Sequence, residues 1–71
     1  MINQLGTYAT RTGKVVEITR ILRNQPIAEG YLLSDGKRVF MVWNTDGYVS
    51  RIAESVNDIV EFLAFYESEE D

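Results

Sequence analysis

Three carboxylates, Glu54, Asp58 and Glu61, stand four and three residues apart in the last third of this 71-residue chain. That spacing would set them along one face of a helix, where they could serve as an acid–base pair or hold a divalent cation. Acid–base work needs two carboxyls whose surroundings drive their pKa values apart, and nothing apolar flanks these three on that face. They read as a solvated helix face. Asn44-Thr45-Asp46-Gly47 looks like half a calcium loop. Counted as positions 3 to 6 of an EF-hand, it puts Val42 at position 1 and Ala53 at position 12, where oxygen ligands are required, so it reads as a turn. The chain has no cysteine and no histidine. Thiolate nucleophiles, Ser-His-Asp chemistry, disulfides and the usual zinc ligands are removed together. Gly6, Gly13 and Gly30 show no phosphate-binding spacing: Gly13 reads as a strand entry and Gly30 as room for Met41. The expectation is a protein without a catalytic residue, metal or cofactor.

What remains is a pattern suited to contact, and the turns decide which residues share it. Asp35-Gly36 lies between apolar runs and predicts a two-residue type I′ hairpin, since that turn needs positive φ twice. Strands over about Ile27 to Ser34 and Lys37 to Asn44 then pair Leu32 with Val39, Gly30 with Met41 and Ala28 with Trp43 on an apolar face. The opposite face pairs Tyr31 with Phe40, Leu33 with Arg38 and Glu29 with Val42. A second turn at Asp46-Gly47 would bring Ile52 opposite Met41 and Ser50 opposite Trp43, and would add Arg51 to the mixed face. Tyr31, Phe40 and Val42, rimmed by Glu29, Arg38 and Arg51, are the candidate partner-binding residues, because exposed aromatics beside arginine are the composition of binding hot spots. A competing reading has the N-terminal segment, through Leu5 and Tyr8, or the first strand covering that face.

Lys14 to Leu22 is rich in β-branched residues and reads as a strand, although Val15, Ile18 and Leu22 would also fit a helix. Arg23-Asn24-Gln25-Pro26 ends it. From Ser55, Val56, Ile59, Val60 and Leu63 recur at helical spacing behind a Ser N-cap, predicting an amphipathic helix laid over Leu32, Val39, Met41, Trp43 and Ile52. The predicted fold is α+β: an antiparallel meander of three or four strands with one C-terminal helix. The alternative is a small SH3-like β-barrel closed by a fifth strand. Residues 1–66 would form one domain and 67–71 a disordered acidic tail.

The net charge of −4 is unevenly spread, with +1 over residues 1–36 and −5 over residues 37–71. This disfavours a nucleic-acid binder, leaving base stacking on the same aromatics as a lower-ranked reading. No signal peptide or membrane-length apolar run is visible, so a cytoplasmic location is expected. A domain this small buries a limited core, which makes a homodimer pairing the same faces plausible.

The stretch from Val39 through Trp43, Asp46-Gly47 and Ile52-Ala53-Glu54-Ser55, followed by Ile59 to Leu63, resembles the C-terminal end of SUKH-type (SMI1/KNR4-like) immunity domains. There a strand, a Gly turn and a strand lead through an Ile-Ala-x-Ser step into a helix ending in Phe-Leu, the place Phe62-Leu63 would take. The resemblance covers about a third of the chain and implies a non-enzymatic protein that binds and neutralises a toxin. The functional expectation is a protein-binding module of inhibitor, immunity or adaptor type acting on a protein partner, and a basic one if the acidic groups aid recognition.

Overall fold

The computed structural model describes residues 2–22, 24–50 and 52–65, and every regular element among them is a strand. In chain order these are β1 (Gly6–Thr10), β2 (Val15–Leu22), β3 (Ile27–Ser34), β4 (Lys37–Asn44) and β5 (Ile59–Phe65). They form one antiparallel sheet in the order β4-β3-β2-β1-β5. The α+β expectation is thereby overturned, for the predicted helix is β5. A fifth strand does add beside β1, but β4 and β5 are the two edges of an open sheet rather than a closed seam.

The first turn behaves as its chemistry requires. Asp35 and Gly36 have φ of 54° and 77°, and the register Ser34–Lys37, Leu32–Val39, Gly30–Met41, Ala28–Trp43 follows residue for residue. Gly30 has a different task from the one expected of it. A Cβ there would run into the backbone of β2, at the Glu17 carbonyl carbon and the Ile18 Cα, each 2.9 Å away, so the glycine admits the neighbouring strand rather than Met41.

The second turn does not make a hairpin. Gly47 N–H donates to Asn44 O (2.8 Å) and Tyr48 N–H to Asp46 Oδ1 (3.2 Å), while Tyr48 O accepts from both Asn44 N–H (2.9 Å) and Asn44 Nδ2 (3.0 Å). The chain then leaves the sheet in a loop that lasts to Asp58. Ile52, expected opposite Met41, is 94% exposed. Val39 is 46% exposed instead of buried.

Why β5 resembles a helix follows from its pairing. Its register partners on β1 are Thr10–Ile59, Tyr8–Phe62 and Gly6–Phe65, with a shift between each pair of steps. Val60 and Leu63 are the extra residues of two β-bulges. Each bulge adds one residue to the strand period of two, and two of the apolar residues that read as a helical stripe, Val60 and Leu63, are the bulge residues themselves, 44% and 45% exposed. The same device acts once in β2: Thr19 has no partner between Ile18–Gly30 and Arg20–Glu29, which keeps both Ile18 and Ile21 against the core. The Ser55 capping signal is also real but local. Asn57 N–H donates to Ser55 Oγ (3.1 Å) and Ser55 N–H to Asp58 Oδ2 (2.9 Å), closing one turn before the chain extends into β5.

Ile2, Tyr8, Val16, Ile18, Ala28, Leu32, Trp43 and Ile59 make up the core on one side of the sheet, with Ile21, Met41 and Val49 against it. Trp43 Nε1 donates to Asn57 O (2.9 Å), tying the 48–58 loop to the sheet. Tyr8, a possible cover for the mixed face, belongs to this core, and its hydroxyl donates to Gln4 O (2.7 Å). The acidic tail 67–71 lies outside the described residues.

Candidate functional site

The opposite side of β2, β3 and β4 gathers most of the predicted partner-binding residues. The register places Glu17, Tyr31 and Phe40 in one row across three strands, with Arg38 beside Leu33 and Val42 beside Glu29. Alternation along each strand puts these side chains on the same surface. Tyr31 and Phe40 meet edge to face, ring centroids 5.7 Å apart at 70°. Arg38 lies over Tyr31, its Cζ 4.3 Å from the ring centroid, and its Nη2 donates to Glu17 Oε1 at 3.1 Å. Glu29 pairs with Arg20 at 3.7 Å. Phe40 is 55% exposed and Val42 41%. The N-terminal segment therefore does not cover this face. Arg51, the remaining predicted member, lies outside the described residues.

Two members of the patch, Glu17 and Arg20, escaped the sequence reading. Only the β2–β3 register places them, and that register contains the Thr19 bulge. Glu17 has a legible reason to be there once β2 is paired: its carboxylate holds the Arg38 guanidinium over Tyr31, a charge-assisted cation–π arrangement suited to arginine.

The three carboxylates do not form a group. Glu61 is on β5, Glu54 is in the loop with its side chain 73% exposed, and Asp58 is buried at 1%. Asp58 Oδ1 accepts from Val49 N–H (2.9 Å), and its Oδ2 accepts from Ser55 N–H (2.9 Å) and Arg11 Nε (3.4 Å). Burial works to raise its pKa, but the Ser55 and Val49 amides and the Arg11 guanidinium outweigh it and hold the carboxyl below its ordinary value. Arg11 also reaches Glu54 at 3.6 Å and sits 6.0 Å from the Tyr48 ring centroid. This cluster joins the β1–β2 turn to the 48–58 loop. Its carboxylate is consumed by structural bonds, which leaves it no proton to move at neutral pH.

No group of three or more acidic side chains among the described residues is placed to hold a metal ion. No helix among them is long and apolar enough to cross a membrane. The outer face of β2, β3 and β4 is thus a half-open aromatic and charged surface: two rings, two arginines and the two carboxylates paired with them. Comparison with protein-family models, with curated proteins and with solved structures returns no match for this chain.

Proposed function

We propose that this chain is a non-catalytic protein-binding module of inhibitor, immunity or adaptor type that contacts its partner through the outer face of β3 and β4. The observation that supports this reading is the state of Tyr31, Phe40 and Arg38: the Phe40 ring stands exposed against a half-buried Tyr31, while Glu17 already holds the arginine over Tyr31. Side chains ordered before the partner arrives lose less freedom on binding, and aromatic and arginine anchors dominate interface energies. Val42 extends the apolar centre, and Glu29 with Arg20 forms a polar rim. A net charge of −4 favours a basic protein partner and faster encounter at low salt.

Affinity purification from the native host, read by quantitative mass spectrometry, tests the assignment. The wild-type chain should recover a protein that Tyr31→Ala/Phe40→Ala loses, with Arg38→Ala weakening the purified pair by about tenfold or more. Equal recovery by wild type and the double variant, with both folded, sinks it.

A further inference from the structure

The two edges of the sheet are unequally protected. β5 carries two bulges, which bend and twist an edge away from further pairing. β4 runs eight residues in unbroken register with no proline, and presents Val39, Phe40 and Val42 exposed. A long, regular, apolar edge of this kind is a template for another strand.

The backbone groups of β4 that meet no partner among the described residues can be named. A two-residue hairpin loop makes its closing pair, Ser34–Lys37, a hydrogen-bonded one, and antiparallel alternation extends this to Leu32–Val39, Gly30–Met41 and Ala28–Trp43. The N–H and C=O groups of Arg38, Phe40 and Val42 therefore point away from β3. Asn44 is next in that outward series, and its N–H indeed turns from β3 to Tyr48 O. The stretch left open is 38–42, and Phe40 is its centre.

From this symmetry we infer that a second copy of the chain pairs with this edge, β4 against β4 in antiparallel register about a two-fold axis at Phe40. Arg38 then faces Val42 of the second copy, Phe40 faces Phe40, and Val39 lies opposite Met41. All three outward residues are paired, which registers shifted by two positions cannot achieve. The charges agree with the antiparallel direction. Lys37 and Arg38 open β4, so antiparallel pairing keeps the cations of the two copies at opposite ends, whereas parallel pairing would set cations beside cations. The contact is isologous and closes after two copies. It goes beyond the partner-binding reading, and joins the two Tyr31–Phe40 patches into one surface across the axis.

Disulfide trapping measures the register, since the chain contains no cysteine of its own. Phe40→Cys puts two thiols across a hydrogen-bonded pair, with Cα atoms about 5.5 Å apart and inside the range a disulfide spans. Val42→Cys puts its two about 14 Å apart, by a rise of roughly 3.4 Å per residue, and beyond that range. Under mild oxidation Phe40→Cys should run at twice the 8.1 kDa chain mass on a non-reducing gel, and Val42→Cys as a monomer. In sedimentation, the wild-type protein should dimerise at high micromolar concentration, and Val39→Lys, an exposed edge position, should weaken that at least about tenfold while keeping its circular dichroism. A wild-type protein that stays at 8.1 kDa overturns the inference. So does Val42→Cys cross-linking as readily as Phe40→Cys, or a Val39→Lys dimer of unchanged strength. Sedimentation decides alone if the cysteine variants do not fold.

Discussion

Asp58 has its two oxygens divided among Val49, Ser55 and Arg11, so one buried carboxylate shapes the whole approach to β5. Asp58→Asn keeps the volume but turns an NH2 toward a donor, and should cost about 2 kcal/mol or more in urea unfolding at neutral pH. The pH dependence has a definite sign. The folded pKa is lowered relative to the unfolded carboxyl at roughly 3.9, so the stabilisation is complete above that pH and is lost as the pH falls through the lower folded value. Unfolding titrations at falling pH should be steeper in wild type than in Asp58→Asn. Gly30 answers to backbone alone. Gly30→Ala drives a methyl into the β2 main chain and should lower stability by about 2 kcal/mol or more, seen as a fall in urea midpoint. Sequence reading singled out both residues and misassigned both, because the atoms that explain them belong to segments at least three residues away and, for Gly30, on another strand.

At the scale of elements, the first hairpin was readable to the residue and the second was not, though both contain Asp-Gly. A type I′ turn is decided within four residues, and Asp35-Gly36 has a pairing strand on each side to exploit it. After Gly47, Tyr48 O is drawn back to Asn44 and Val49 N–H to Asp58, so the chain has no free ladder to continue. Ile52→Asp discriminates between the two pictures. In a second hairpin it would bury a charge opposite Met41; at 94% exposure it should shift the urea midpoint by less than about 0.5 kcal/mol equivalent. The reading of β5 as a helix has an equally specific cause, since two residues of its apolar stripe, Val60 and Leu63, are bulge residues. A strand's alternation is legible only where its pairing is regular; β2, with its own bulge, was legible from β-branched composition instead.

For the whole molecule, five strands in the order β4-β3-β2-β1-β5 leave two edges and one broad outer face. If β4 pairs with a second copy, the folded state is coupled to its own concentration by mass action. Scanning calorimetry over about a hundredfold range of concentration should then show Tm rising with protein, and Val39→Lys should flatten that rise. Local chemistry determined a good deal of this protein in advance: the absence of cysteine and histidine removed whole classes of reaction, β-branched runs and one Asp-Gly turn placed β2, β3 and β4, and their alternation put Tyr31, Phe40, Val42, Glu29 and Arg38 on one side. Each of those rests on neighbours within a few residues. Tertiary structure alone decided that Ile59–Phe65 is a strand beside β1, that Glu17 reaches Arg38, that Asp58 is buried, and that β4 stands as an open edge. Those depend on which distant segment lies alongside, and a bulge shifts such pairing by a residue, so the spacing of the side chains it displaces no longer shows the strand period.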